Sequence, residues 1–63
     1  MTATNPLLAP GALVRHPGQP DWGIGQVQSV IGERVTVSFE DRGQVLINAA
    51  AVELEVIEPE RRD

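Results

Sequence analysis

The chain has 63 residues, with five arginines, nine acidic residues, one histidine, no cysteine and a formal net charge of −4. A chain of this length forms a single domain and buries only about 60% of the surface that it exposes when unfolded. The missing cysteines exclude disulfides and thiolate chemistry, and one histidine cannot supply the usual zinc ligand sets. Hydrophobic residues make up 41% of the chain, which indicates a folded domain.

The distribution of charge argues against nucleic acid and membrane partners. Nucleic-acid-binding proteins neutralise phosphates with clustered lysines and arginines. This chain has no lysine and no basic run in its body, and most of its acidity lies within residues 53–63. No apolar stretch approaches the roughly 20 residues of a membrane-spanning helix, and the N-terminus does not resemble a signal peptide. We therefore expect a cytoplasmic protein.

The chain divides into a lead-in, a domain and a tail. Residues 1–10 contain two prolines and show no periodicity, which predicts a flexible segment, although Leu7 and Leu8 could dock on the domain or on a partner. Residues 11–58 show short strand patterns separated by turns that contain glycine. Residues 59–63 are a charged tail.

The first two strands are separated by a loop rich in proline and glycine. The first covers residues 12–16 and ends at Pro17, which cannot donate to a ladder. The second runs from Trp22 to Val30. Glycines at alternate positions weaken a strand unless the chain bends sharply or another backbone lies close. Gly23 and Gly25 are therefore predicted as kinks that close a barrel, not as a phosphate-binding loop.

The third and fourth strands form a predicted hairpin. Residues 34–40 alternate polar and apolar side chains, and residues 41–43 suit a three-residue loop with Gly43 in the left-handed conformation. This register places Leu46 on the outer face beside Ser38. The inward pairs that it predicts are Phe39 with Val45, Val37 with Ile47, and Val35 with Ala49.

The turn between the second and third strands has two solutions. If Gly32 is left-handed in a loop of odd length, Val27 lies opposite Val35, and this is the preferred prediction. A two-residue turn at Gly32 and Glu33 would require a β-bulge.

Residues 49–57 supply the last two predicted elements of the fold. Residues 49–52 are predicted as a single helical turn and residues 54–57 as a short closing strand that Pro59 ends. Five short strands with a bend in the second predict an all-β fold, a small five-stranded closed barrel. Closure removes the edges that an open sheet would expose.

Three segments carry a resemblance to a known family. Gly11–Pro17, Trp22–Val27 and Val35–Phe39 are similar to the G-x-x-V-x-H, aromatic-G-x-G-x-V and V-x-V-x-F segments of the Tudor-like, SH3-like barrel. That barrel ends UvrD/PcrA-type bacterial DNA helicases, and a related barrel begins the CarD family and the transcription-repair coupling factor. The whole chain looks like a family of short bacterial proteins of unknown function that consist of this module alone. The resemblance implies a docking domain, since the related barrels bind RNA polymerase.

The only histidine, His16, invites a catalytic interpretation. General-base catalysis needs a nucleophile or substrate within reach and a group that orients the ring, and the sequence identifies neither. His16 is therefore predicted to tie the following loop to the barrel, a structural role shared with Gly23, Gly25 and Gly43. No catalytic, metal-binding or cofactor-binding residue is predicted, and the protein is not expected to be an enzyme.

Four apolar residues are predicted to bind a partner: Leu13, Trp22, Ile24 and Leu46. Trp22 either caps the barrel or anchors a partner, since tryptophan is enriched at interface hot spots. A methyl-lysine cage needs several aromatic rings, and the chain has only one tryptophan, one phenylalanine and no tyrosine.

The sequence therefore predicts a non-catalytic protein–protein interaction module that docks on RNA polymerase or another component of transcription or DNA repair. The alternative is a weak nucleic-acid-binding small barrel. The sequence leaves self-association open.

Overall fold

The computed structural model describes residues 8–58. They form one antiparallel sheet of five strands in the order β4-β3-β2-β1-β5, so the predicted all-β class is confirmed. The predicted tail at 59–63 and most of the predicted lead-in lie outside the described residues. The elements are β1 (Leu13–Arg15), a 3₁₀ helix (Pro20–Trp22), β2 (Ile24–Ile31), β3 (Arg34–Phe39), β4 (Gly43–Asn48) and β5 (Glu55–Glu58).

The core is a single cluster of aliphatic side chains and one phenylalanine. Its centre is β3, whose alternation buries Val35, Val37 and Phe39 on one face. Alternate residues of a strand point to opposite faces of the sheet, so a regular polar–apolar pattern buries one whole side. The other buried members come from the remaining strands and their flanks: Leu8, Ala12, Val14, Val27, Ile47 and Leu54.

The sheet packs around this core with β4 and β5 as its two edge strands, and no pairing between these two strands occurs within residues 8–58. β5 returns to pair with β1, so the last strand lies beside the first. Ile47 of β4 and Val56 of β5 pack against the same cluster. Side-chain packing therefore joins the two edge strands around a common interior.

Leu8 extends the domain beyond the first predicted strand. It is only 6% exposed and belongs to the core cluster. The chain next to it is held in place, because Gly11 N–H donates to Val27 O at 2.9 Å and Val27 N–H donates to Ala12 O at 2.9 Å. Leu7 lies outside the described residues.

The preferred register between β2 and β3 is wrong. The turn consists of Gly32 and Glu33 alone, since Ile31 lies opposite Arg34, and Gly32 has φ +58°. The register shifts between Val27 and Ser29, which is the bulge that this shorter turn requires. The bulge keeps Val27 and Val30 on the core side, although they are three positions apart and a regular strand would place them on opposite faces.

The predicted register between β3 and β4 is wrong by two residues. Phe39 lies opposite Gly43 and Thr36 opposite Leu46, so Leu46 is not beside Ser38. The actual inward pairs are Val37 with Val45 and Val35 with Ile47. An even shift leaves every side chain on its predicted face, which is why the predicted core of these two strands survives.

Hydrogen bonds to β2 explain this shift. Glu40 N–H donates to Ile24 O at 3.0 Å, and Asp41 N–H donates to Trp22 O at 2.9 Å. The N–H groups of both residues are therefore bonded to the segment at and before the start of β2. Glu40 does not pair with Gln44 as predicted. The hairpin closes one residue earlier, where Arg42 N–H donates to Phe39 O at 3.4 Å.

One local prediction also needs correction. Trp22 is not in β2 but ends the 3₁₀ helix, which starts at Pro20 and closes where Trp22 N–H donates to Gln19 O at 3.1 Å. Residues 49–52 form a single hydrogen-bonded turn before the last strand, as predicted: Val52 N–H donates to Asn48 O at 2.9 Å, the four-residue spacing of one α-helical turn.

Gly25 should be the least replaceable residue of β2. A Cβ atom there would lie 2.4 Å from Val37 Cγ1 and 2.7 Å from Phe39 Cδ1. We expect Gly25→Ala to lower the free energy of unfolding by about 1–3 kcal/mol, the usual cost of overpacking. Urea denaturation followed by circular dichroism measures this change.

The matched control for Gly25→Ala is Gln26→Ala, on the next, exposed residue of the same strand. Its free energy of unfolding should stay within about 0.5 kcal/mol of the native value. Equal stabilities of the two variants would show that the close contact at Gly25 is not a constraint.

Candidate protein-docking surface

A cluster of three rings lies between the 3₁₀ helix and the end of β3. The centroids of His16 and Trp22 are 4.9 Å apart, and those of Trp22 and Phe39 are 5.2 Å apart, both in edge-to-face geometry. The Arg42 guanidinium carbon lies 5.5 Å from the Trp22 ring centroid. Such contacts stabilise aromatic pairs beyond the area they bury. Trp22 is thus half-buried and packed against the core.

The side chain of His16 bonds to the loop that follows it. Its Nδ1 atom accepts a hydrogen bond from Gly18 N–H at 3.1 Å. Together with the contact to Trp22, this bond orients the ring and tightens the turn after β1. The ring therefore has a packing and loop-closing role in this structure. No group of three or more histidine, cysteine or acidic residues able to hold a metal ion occurs within residues 8–58.

Gly23 brings the 3₁₀ helix close to the β3–β4 turn. Its φ is +77°, and a Cβ atom there would lie 2.7 Å from Asp41 Oδ2. Ile24 N–H donates to Glu40 Oε1 at 3.3 Å. Gly43 has φ +87° with open space around it, so glycine is favoured there by the backbone conformation and not by a lack of room for a side chain.

The four predicted partner-binding residues do not form one surface. Leu13 and Ile24 are half-buried and lie on the outer face of the β1–β2 pair, where Leu13 is opposite Gln26 and Ile24 opposite Arg15. Trp22 packs against the core. Leu46 is 64% exposed and lies on β4, beyond β3.

Ile31, which sequence reasoning did not select, lies with Leu46 around a groove of about 470 Å³. They are the two most exposed large hydrophobic residues within 8–58, Ile31 at 72% and Leu46 at 64%. Ile31 follows directly after the predicted second strand, which ends at Val30. The alternative turn, made of Gly32 and Glu33 alone, would have predicted an exposed Ile31, because that turn extends β2 and places Ile31 opposite Arg34. The groove lining is Ile31, Glu33, Arg34, Leu46, Ile47 and Asn48.

Comparison with known proteins gives a family but no activity. A family model described as "Protein of unknown function (DUF3553)" matches residues 8–57. The match begins at the buried Leu8 and ends within β5, so it spans the folded domain. No curated protein and no solved structure matches the chain. None of the helices within residues 8–58 has the length and apolar character needed to cross a membrane.

The ring cluster should contribute to stability. Removing both edge-to-face contacts in Trp22→Ala should lower the free energy of unfolding by about 1–3 kcal/mol, at about 0.5–1.5 kcal/mol for each aromatic pair. Trp22→Phe, the control, keeps a ring and should lose less. Thermal and urea denaturation measure both variants. A native-like midpoint for Trp22→Ala would mean that the indole is not part of the core.

Proposed function

Since the chain belongs to the DUF3553 family of proteins of unknown function, its activity has to be argued from its own surface, and we propose a non-catalytic protein-interaction module. The supporting observation is the groove between Ile31 and Leu46 on the outer face of the sheet. Isolated apolar residues on a surface are ordinary, but two that flank one groove form a patch of the kind that marks interaction sites.

Burial of these side chains would supply the binding energy. Ile31 and Leu46 keep most of their surface in water. Complete burial of a side chain of this size stabilises a complex by about 1.5–3 kcal/mol. Interfaces concentrate their energy in a few central residues of this kind, surrounded by polar contacts that exclude water.

The polar rim of the groove suggests the chemistry of the partner segment. Arg34 lines the groove between the two apolar side chains and forms no ion pair with any residue of the range 8–58. Glu33 lies beside it. A segment that places an apolar side chain in the groove and a carboxylate near Arg34 would fit. Charge pairs at a rim contribute more to specificity and association rate than to affinity.

RNA polymerase, or another component of transcription or DNA repair, is the partner that we propose. The support is the similarity of Gly11–Pro17, Trp22–Val27 and Val35–Phe39 to barrels that bind polymerase. These segments lie largely in β1, β2 and β3 and their flanks. None of the six residues that line the groove lies in these segments.

Charge disfavours the nucleic-acid alternative. The described arginines do not form one basic patch: Arg15 pairs with Glu55 at 3.7 Å, Arg42 lies over Trp22, and Arg34 lines the groove. The net charge of the chain is −4. Affinity for DNA comes mainly from phosphates neutralised by clustered basic side chains, and scattered arginines neutralise few of them.

Binding to purified bacterial RNA polymerase core enzyme tests the proposal. Leu46→Asp and Ile31→Asp should each weaken binding by about tenfold or more, because each places a carboxylate where an apolar side chain would be buried. The control is Gln28→Asp, at the exposed bulge outside the groove. Biolayer interferometry on the immobilised full chain measures the affinities.

The possible results distinguish an error in the proposed binding surface from an error in the proposed partner. Polymerase binding that both groove variants leave unchanged would show that the groove is not the site. No binding of polymerase by the native chain would overturn the proposed partner.

Duplex DNA provides a second, independent measurement. We expect no retention of DNA by the native chain at physiological salt, since scattered arginines release few counterions. A fluorescence anisotropy titration with a labelled duplex at low and physiological salt measures this. Tight binding at physiological salt would favour the nucleic-acid alternative instead.

A further inference from the structure

The sheet has two edge strands, and they differ in how they are protected. β5 carries Glu55 and Glu58, and its pairing with β1 contains a register shift between Leu13 and Val14. Charged residues and bulges are the usual devices that prevent an edge from pairing with another chain. The β5 edge therefore resists addition of a further strand.

β4 has none of these devices. Its six residues, Gly43–Asn48, include no charged residue and no proline. Its register with β3 runs without a shift from Gly43 to Asn48. Within residues 8–58, β3 is the only strand that pairs with it. Apart from Asn48 O, which accepts from Val52 N–H in the following turn, its second row of backbone donors and acceptors is therefore available for strand addition.

The order of side chains along β4 is self-complementary. Residues 44–48 read Gln-Val-Leu-Ile-Asn, which is amide, three apolar residues, amide. This pattern is the same in both directions, with Leu46 at its centre. Antiparallel pairing of the segment with a copy of itself therefore sets apolar residues opposite apolar residues and amides opposite amides.

We propose that β4 pairs antiparallel with β4 of a second copy of this chain, about a twofold axis at Leu46. On the outer face Leu46 then contacts Leu46 of the second copy, and Gln44 lies opposite Asn48 of that copy. On the inner face Val45 lies opposite Ile47 of the second copy. Val45 and Ile47 already pack on the core, so the pairing continues the apolar layer from one barrel to the next.

The contact is self-limiting, because a twofold interface uses the same patch on both copies and leaves no second one for growth. It is also small, since it involves one short strand from each side and falls below the roughly 1,200 Å² typical of stable interfaces. The dimer is therefore expected to depend on concentration. The proposal goes beyond the docking function, because it uses the backbone edge of β4. Leu46 also lines the groove, so Ile31 variants are the ones that separate docking from dimerisation.

Sedimentation analysis of the full chain tests the dimer. The native mass should rise from 6.8 kDa towards twice that value as concentration increases. Leu46→Lys should remain at the monomer mass throughout, because it places two ammonium groups opposite each other. The control Ile31→Lys changes an equally exposed residue away from the edge and should dimerise like the native chain. Circular dichroism confirms that both variants fold.

Cross-linking tests the geometry of the pair. Residues directly opposite in an antiparallel pair have Cα atoms about 4.5–5.5 Å apart, within the range of a disulfide. The native chain has no cysteine, so Leu46→Cys carries the only thiol. It should form a covalent dimer under mild oxidation, whereas the control Ile31→Cys should form much less.

A native chain that stays monomeric at every concentration, or equal cross-linking of the two cysteine variants, would overturn the proposed pairing. Either result leaves the docking proposal intact, since polymerase binding is measured with the immobilised chain. Loss of polymerase binding in Ile31→Asp with dimerisation retained would show that the two surfaces act separately.

Discussion

The close contact between the backbone of Gly25 and the side chains of Val37 and Phe39 holds this small domain together. Gly25 lies opposite Val14 on one side and opposite Phe39 on the other, so β2 joins both halves of the sheet at this residue. The missing side chain lets two core residues occupy the space under the strand. Close packing of this kind is what stabilises a chain too short for a large core.

The ring cluster and the β3–β4 turn depend on the same region of β2. Glu40 N–H donates to the carbonyl group of Ile24 at the start of β2, and Asp41 N–H donates to that of Trp22 at the end of the 3₁₀ helix. Phe39 is thereby fixed next to Trp22. The turn is thus positioned by a third strand and not only by its own residues. The groove lies on the outer face, over β2, β3 and β4.

The alternation of side chains was enough to predict β3 and its inward residues, Val35, Val37 and Phe39. Register was not predictable in the same way. The bulge after Val27 and the capture of Glu40 by Ile24 are contacts between distant segments, and no local pattern encodes them. The two apolar residues of the candidate site show the same difference between predicting a face and predicting a register. Leu46 could be found from alternation alone, whereas Ile31 depends on the length of a turn that was assigned incorrectly.

The pairing of β1 with β5 has a consequence for how the protein folds. Val14 and Val56 lie at opposite ends of the described chain, yet they are neighbours in the sheet. The β2–β3 and β3–β4 pairs join segments that are adjacent in sequence, whereas β1 and β5 can pair only after a long loop has closed. Contacts between sequence-distant segments of this kind slow folding.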